Sequence, residues 1–192
     1  MLKNVIFDLG NVLVQCHFER FFEHYKISGL DSKLPLVTPI YESFNRGKIS
    51  RNDFLIKMKH MLDTDDSLEK IAYNWSDIFT LDKEMVKLAE SLKKDYDIFI
   101  FSNTDEIHFN RIIIDFPELE IFEHNFMLSY EIGELKPNAK AFQLALGKFN
   151  LIPAESLFID DRMENVNGAK IFGMDAIHHL DYGSTKEKIN RR

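Results

Sequence analysis

The fold is decided near the N-terminus by the stretch Val5-Ile6-Phe7-Asp8-Leu9-Gly10-Asn11-Val12-Leu13-Val14. Its first three residues are bulky and apolar, which is typical of a short strand buried in a parallel sheet. Asp8 follows directly, at the point where this strand would end. Because ligands of open α/β sheets bind outside the carboxyl ends of the strands, Asp8 is a candidate functional residue. The alternative is an aspartate that only turns the chain.

The composition indicates one globular domain, or one domain with a small insert. The chain has 192 residues, of which 45% are hydrophobic and 29% are charged. The net charge of −7 argues against a nucleic-acid or anionic-membrane partner, because both bind basic surfaces. The single cysteine, Cys16, excludes an intramolecular disulfide. With neither a signal peptide nor an apolar run of spanning length, we expect a cytoplasmic protein that is a monomer or weak homo-oligomer.

Between the first strand and Leu81, apolar residues recur at helical spacing. This pattern predicts a purely helical segment over residues 17–81. Pro35 and Pro39 predict loops or helix ends, as does the sequence Asn-Arg-Gly-Lys at 45–48. Ser50 is the expected N-cap of the helix that follows.

From Leu81 onward, strand and helix patterns alternate, which predicts an α/β fold with a parallel sheet between two layers of helices. The predicted strands are 97–101, 125–129, 157–159 and 175–178. The predicted helices are 83–94, one that ends at 114, 138–149 and 165–172. The polar C-terminal stretch, 182–192, is expected to fray.

Polar residues follow three of the predicted strands, and a Lys-Pro pair precedes one of the helices. These residues are Asp8, Ser102, Asn103, Asp160, Asp161 and Lys136. In a doubly wound sheet they would converge at one edge, where the carboxylates would repel each other unless a cation lay among them. Oxygen ligands in this number suit Mg²⁺, and the hydroxyl, amide and ammonium groups are donors that a phosphate needs. The residues alone therefore predict a Mg²⁺-dependent phosphate site.

Four motifs, on the predicted strand ends and in this order, cover most of the chain: FDLGNV at 7–12, IFSNT at 100–104, GELKP at 133–137 and FIDDRMENVNGA at 158–169. They resemble those of the haloacid dehalogenase-like hydrolase superfamily, most of whose members are phosphatases. The resemblance implies a Rossmann-like core formed by residues 1–16 and 82–192. It also implies a small α-helical cap of subclass I at 17–81. The Asp-Leu-Gly-Asn form of the first motif and residues 45–50 are most similar to the bacterial α-D-glucose-1-phosphate phosphatase group.

The resemblance also implies roles for single residues. Asp8 would be the nucleophile that forms an aspartyl-phosphate, with Ser102 and Lys136 as the other catalytic residues. Mg²⁺ would be bound by Asp8, the carbonyl of Gly10 and Asp161, with Asp160 as a ligand either directly or through water. The expected substrate-binding residues are Leu9, Gly10, Ser102, Asn103, Lys136, His17 and Arg46.

Gly10 departs from the family pattern, in which most phosphatases have a second aspartate that protonates the leaving group. Such acid–base help is typically worth about 10²–10⁴ in rate. Three explanations stay open: another group such as His17 or the substrate moves the proton, the leaving group is an easy one such as an anomeric sugar, or the protein binds a phospho-ligand without turnover. Haloacid dehalogenases also lack this aspartate, but they use no Mg²⁺. If this chain were a dehalogenase, the acidic pair at 160–161 would have no function.

The function expected from the sequence is Mg²⁺-dependent hydrolysis of a small phosphate monoester, in particular a sugar phosphate. The alternative from another class is a catalytically weak, regulatory protein that binds a phospho-ligand. His108, a turn after Ser102, and Arg46, in a loop of the cap, are further candidates for contact with the substrate.

Overall fold

The computed structural model describes residues 1–26 and 30–192, with the side chains of all of them except residues 30–37. The strands in this part of the chain are β1 (Asn4–Phe7), β2 (Val14–Cys16), β3 (Phe79–Leu81), β4 (Asp97–Ser102), β5 (Phe126–Leu128), β6 (Ser156–Asp160) and β7 (Asp175–His178). The α-helices are α1 (Phe18–His24), α2 (Leu30–Asn45), α3 (Arg51–Leu62), α4 (Leu68–Ser76), α5 (Lys83–Leu92), α6 (Glu106–Asp115), α7 (Ser129–Ile132), α8 (Ala139–Lys148), α9 (Met163–Ile171) and α10 (Tyr182–Asn190).

A five-stranded sheet in the order β5-β4-β1-β6-β7 forms the centre of the protein. All of its pairings are parallel, which confirms the predicted α/β class. The first strand lies in the middle, between β4 and β6. Its pairing continues one residue further, since the amide of Asp8 donates to the carbonyl of Ile159 at 2.8 Å. The carboxyl ends of the three central strands therefore lie side by side.

Alternation along the central strands explains why both faces of the sheet are apolar. In β1, Val5 and Phe7 belong to one hydrophobic cluster and Ile6 to the other. Helices α5 and α6 cover the first cluster, and α8 and α9 cover the second. Because successive side chains of a strand point to opposite faces, a strand covered on both sides is a continuous apolar run.

The helices α1–α4 pack around a third cluster, whose fully buried aromatic residues are Phe21, Phe54 and Trp75. The predicted N-cap of α3 is confirmed: the hydroxyl of Ser50 accepts from the amide of Asp53 at 3.1 Å. The segment leaves and re-enters the rest of the chain through β2 and β3, which pair antiparallel. This two-stranded sheet fixes where the helices stand relative to the first strand.

Two predictions for the helical segment were wrong. Residues 79–81 form a strand rather than the end of a helix, because they pair with β2 and α4 already ends at Ser76. Pro35 and Pro39 lie within α2 rather than in a loop. The packing of Ile40 and Phe44 into the third cluster outweighs the helix hydrogen bonds that the prolines remove.

The expectation for the C-terminus was also wrong, since residues 182–190 form α10. Asp181 caps this helix by accepting from the amide of Ser184 at 2.7 Å. Thr185 is fully buried, and its hydroxyl contacts Nδ1 of His179 at 2.8 Å. One buried turn therefore anchors a segment whose composition alone suggested fraying. In the described chain, we find no helix with the length and apolar character needed to cross a bilayer.

Replacement of Gly47 by alanine should destabilise the protein more than the same change at Gly133. Both glycines have positive φ (+62° and +80°), which costs an L-residue about 1–2 kcal/mol. A Cβ at Gly47 would also lie 2.3 Å from the carbonyl oxygen of Tyr130, whereas a Cβ at Gly133 meets nothing within 4 Å. Urea unfolding of the two variants measures the difference, which we expect to exceed about 1 kcal/mol. Equal losses of unfolding free energy in the two variants would show that the loop between α2 and α3 is not in tight contact with α7.

Candidate active site

Three adjacent strand ends place the predicted polar residues at one edge of the sheet. Asp8 follows β1, Ser102 ends β4, and Asp160 ends β6. The carboxylates of Asp8, Asp160 and Asp161 offer oxygen atoms within 4.8 Å of one another. Asp160 is fully buried, Asp8 is nearly so, and Asp161 is half-buried. Such a cluster requires positive charge close by.

Lys136 supplies that positive charge. Its ammonium group donates to Oδ2 of Asp160 at 2.7 Å and to the carbonyl of Phe101 at 2.9 Å, and it lies 3.0 Å from Oδ1 of Asp8. The rings of Phe101 and Phe158 lie about 5 Å from the ammonium nitrogen and shield it from water. All three donors of the lysine are therefore in use.

Hydrogen bonds between loops hold Lys136 and Ser102 in place. The side chain of Asn103 accepts from the amide of Lys136 and donates to its carbonyl, both at 2.9 Å. The hydroxyl of Ser129 accepts from the amide of Thr104 and donates to its carbonyl, also at 2.9 Å. These reciprocal pairs fix the loop after β4 against the first residue of α7 and against the loop before α8. The Lys136–Pro137 peptide bond is cis.

The buried charges separate into an ion pair and one carboxyl with a raised pKa. Burial opposes the charge of Asp160, but Lys136, the amide of Arg162 and the side chain of Asn165 hold its pKa below the usual value. Burial alone would lower the pKa of Lys136, but Asp160 and Asp8 raise it. Burial raises the pKa of Asp8 to about 8, against the charge of Lys136 and with the charge of Asp160. Without a bound cation, Asp8 is thus the carboxyl that holds a proton.

Sequence reasoning missed two asparagines that position the acidic pair. Asn165, in the first turn of α9, donates to both oxygens of Asp160 at 3.0 and 3.1 Å. Asn11 donates to Oδ2 of Asp161 at 3.2 Å and has a φ of +53°. Because asparagine tolerates this left-handed conformation better than most residues, the asparagine after Gly10 could have been used to predict a turn from the sequence.

A cavity of about 580 Å³ lies above the strand ends. Asp8, Gly10, Ser102, Asn103, Lys136 and Asp161 all line it, together with residues of the helical segment. We call the six residues just named the cavity floor. Asp160 lies beneath it, and both of its carboxylate oxygens accept hydrogen bonds from Lys136, Arg162 and Asn165. The structure thus brings together the core residues that the sequence singled out.

The remaining candidates have other surroundings. The side chain of Leu9 is buried in the first hydrophobic cluster, although its amide donates to Asp8 at 2.7 Å. His17 does not line the cavity, and its Nδ1 lies 3.2 Å from Glu19. Arg46 lines the cavity but is paired with Glu134 at 2.5 Å. The ring of His108 lies at the cavity wall, stacked on Trp75, with Nε2 at 2.8 Å from the Trp75 carbonyl.

The space beside Gly10 is occupied. The φ of Gly10 is outside the left-handed region, so a side chain would be tolerated by the backbone. A Cβ there would lie 3.2 Å from Sγ of Cys16, which is tighter than ordinary contact. Burial raises the pKa of the Cys16 thiol to about 12, so the neighbour of Gly10 is a neutral thiol at physiological pH.

In metal-free protein, the stability contribution of Asp8 should fall as the pH rises from about 4 to about 8. Between its unfolded pKa near 3.8 and its folded pKa of about 8, the folded state holds a proton that the unfolded state has released. Raising the pH therefore favours unfolding. Urea titrations with chelator at pH 5 and pH 8 should show a flatter pH dependence for Asp8→Asn than for wild type. Asp95→Asn, at an exposed turn, should keep the wild-type slope, and an unchanged slope in Asp8→Asn would contradict the assignment.

Known proteins of similar sequence and structure include two phosphatases and an enzyme solved with magnesium. D-ribitol-5-phosphate phosphatase of Bacteroides thetaiotaomicron is 25% identical over 186 residues, covering 91% of this chain and 90% of that protein. A sesquiterpene phosphatase of Aspergillus oryzae is 25% identical over 181 residues, covering 93% and 90%. The magnesium complex of a HAD family enzyme from B. thetaiotaomicron has a TM-score of 0.86 at 25% identity, over 100% of this chain and 99% of that one. Residues 2–173 match the family described as haloacid dehalogenase-like hydrolase, and the chain belongs to that family.

Proposed function

We propose that this protein is a Mg²⁺-dependent phosphatase that hydrolyses a small phosphate monoester, in particular a sugar or sugar-alcohol phosphate. The cavity floor supports this most directly, because it combines the carboxylates of Asp8 and Asp161 with the ammonium group of Lys136. The relatives named above, a D-ribitol-5-phosphate phosphatase and a sesquiterpene phosphatase, both support a phosphate ester as substrate. The substrates in these two names differ in the organic part of the ester. For this protein, that part has to be inferred from the residues that line the cavity.

The donor set at the floor fits Mg²⁺, since it consists of oxygen atoms and offers free carboxylate positions. Asp8, Asp161 and the carbonyl of Gly10 would hold the ion. Asp160 would contribute through water, because Lys136, Arg162 and Asn165 already occupy both of its oxygens. When bound, Mg²⁺ would neutralise negative charge on the carboxylates and on the phosphoryl group.

The reaction would proceed in two steps on Asp8. An oxygen of its carboxylate attacks phosphorus, the bond to the ester oxygen breaks, and that oxygen takes a proton from solvent as the alcohol leaves. Water then attacks the phosphorus of the aspartyl-phosphate, which releases inorganic phosphate and restores the carboxylate. Ser102 and the backbone at Leu9 and Asn103 would hold the phosphoryl oxygens where the charge is carried. Lys136 would do so by exchanging its contact with Asp8 for one with the phosphoryl group.

We assign residues 1–16 and 82–192 to the core and residues 17–81 to a cap. The cap would close the cavity over the strand ends and exclude bulk water. Contacts that join it to the core include the ion pair of Arg46 with Glu134 and the hydrogen bond between the Trp75 carbonyl and His108. A covered cavity of this size suits a small metabolite better than a phosphoprotein.

Gly10 supports a restriction on the leaving group. It carries no acid, and its neighbour Cys16 is a neutral buried thiol, so neither residue donates or accepts a proton efficiently. Esters whose alcohols leave easily, such as anomeric sugar phosphates and aryl phosphates, would be favoured. The lack of an acid at Gly10 also supports the second candidate function, that of a protein that binds a phospho-ligand and hardly turns it over.

A substrate panel tests the activity. We expect phosphate release to require Mg²⁺ and to be faster from α-D-glucose 1-phosphate and 4-nitrophenyl phosphate than from D-glucose 6-phosphate, D-ribitol 5-phosphate and farnesyl phosphate. Asp8→Asn should lower kcat at least about 10³-fold, because it removes the nucleophile, while Asp95→Asn should behave as wild type. Turnover that survives chelation or the Asp8 change would contradict the mechanism. Phosphate binding without any turnover would favour the ligand-binding alternative.

An acid introduced at position 10 should restore activity on poor leaving groups. Because a side chain there contacts Cys16, we would place it in a Cys16→Ala background. Gly10→Asp/Cys16→Ala should raise kcat/KM for D-glucose 6-phosphate by about 10- to 100-fold over Gly10→Asn/Cys16→Ala, which has the same size but no acid. Steady-state phosphate release measures the ratio. Equal values for the two variants, with Mg²⁺ affinity retained, would show that acid–base help is not what the site lacks.

A further inference from the structure

The last two turns of α2 present a polar face to the cavity. Thr38, Tyr41, Glu42 and Asn45 all line it, and their spacing of three or four residues places them on one side of the helix. The opposite side supplies Ile40 and Phe44 to the hydrophobic cluster of the helical segment. The usual amphipathic arrangement is therefore kept. On the polar side, Thr38 and Glu42 are exposed to solvent at the edge of the cavity, and Asn45 is buried in its wall.

Asn45 is the buried member of this face. Its side chain lines the cavity and is only 5% exposed. Its Oδ1 is shielded from solvent and has no hydrogen-bond partner among the described residues, so a turn of the amide toward the cavity would bring this oxygen within reach of a ligand. The same side chain hydrogen-bonds to Tyr41, whose pKa burial nevertheless raises, so the hydroxyl of Tyr41 stays protonated. A buried carbonyl oxygen without a donor destabilises the protein, and a bound donor would remove that cost.

We propose that Asn45 is a specificity residue that accepts a hydrogen bond from a hydroxyl group on the organic part of the substrate. This rests on the proposed phosphatase function and narrows its substrate class to a hydroxylated monophosphate. The floor binds the phosphoryl group, and the organic part extends toward α2. A hydroxyl group is the neutral donor that fits an amide oxygen beside Glu42, whose carboxylate is a second acceptor on the same face.

Charges in the cavity wall favour a substrate without a second anionic group. In the described part of the chain, each cation that lines the cavity has an acidic partner: Lys136 with Asp160, Arg46 with Glu134 and Arg162 with Glu164. A second phosphate or a carboxylate on the substrate would face Glu42 with no unpaired cation nearby in these residues. The ligand class is accordingly a neutral polyol or sugar that carries one phosphate.

A double-mutant cycle between protein and substrate tests this contact. The panel member with the highest kcat/KM among D-ribitol 5-phosphate, α-D-glucose 1-phosphate and D-glucose 6-phosphate is compared with analogues that each lack one hydroxyl group. We expect wild type to discriminate against one analogue by about 10- to 100-fold, because the analogue leaves Oδ1 of Asn45 unpaired. In Asn45→Leu, which has similar volume and no acceptor, that factor should fall below about threefold.

Controls separate a specific contact from a general disturbance of the cap. Asn52→Leu, at an exposed position of α3 outside the cavity, should keep the wild-type discrimination. If Asn45→Leu does not fold, Asn45→Ala and Asn45→Ser provide the same comparison. Calorimetry of the same substrates with Asp8→Asn and Asp8→Asn/Asn45→Leu gives a binding readout that does not depend on turnover.

The outcomes distinguish the proposed Asn45 contact from the phosphatase function on which it rests. Loss of discrimination confined to one analogue and to the Asn45 variants supports the contact. Discrimination that persists in every Asn45 variant overturns the contact and leaves the phosphatase function intact. A wild-type enzyme that turns over none of the panel with Mg²⁺ overturns the phosphatase function and this proposal together.

Discussion

Lys136 joins three neighbouring strands through one buried ammonium group, which contacts Asp8 after β1, the carbonyl of Phe101 in β4 and Asp160 in β6. Its side chain is fully buried, so the charge depends on these partners and on the flanking rings of Phe101 and Phe158 rather than on water. Removing one partner would leave a buried charge poorly compensated, which typically costs about 3–5 kcal/mol. The parallel sheet brings the strand ends together, and the lysine fixes the distances between them. This cation offsets part of the negative charge of the acidic cluster.

Rigidity around the site comes from polar groups that satisfy each other in pairs. Asn103 and Lys136 exchange two hydrogen bonds, and so do Ser129 and Thr104. Each pair links loops that are distant in sequence, so a shift of one loop would break hydrogen bonds in both. Fully satisfied networks of this kind hold functional side chains in one conformation. The floor of the cavity is therefore preorganised before any ligand binds.

Much of this could be predicted because the core obeys local rules. Apolar runs such as residues 5–7 and 157–159 read as buried strands, and the acids that follow them read as a site. Phe79–Leu81 could not be read in this way, because its strand character comes from pairing with a segment more than 60 residues earlier. Tyr182–Asn190 is helical through one buried threonine and a capping aspartate, both tertiary features. Asn165 gave no signal at all, since its role depends on α9 turning its first residues back toward Asp160.

Under the proposed function, two parts of the cavity wall place independent demands on a ligand, and one class of molecule would meet both. Beside Gly10 the space is filled by Cys16, so the position is a packed neutral surface rather than a vacant acid site. That side favours an ester whose alcohol leaves without help. On α2, Asn45 and Glu42 carry acceptor oxygens to which the hydroxyl groups of a substrate would donate. An aryl or terpene phosphate meets at most one of these demands. A sugar phosphorylated at its anomeric hydroxyl would meet both. That hydroxyl is more acidic than an ordinary alcohol, and the remaining hydroxyl groups would be free to donate to α2.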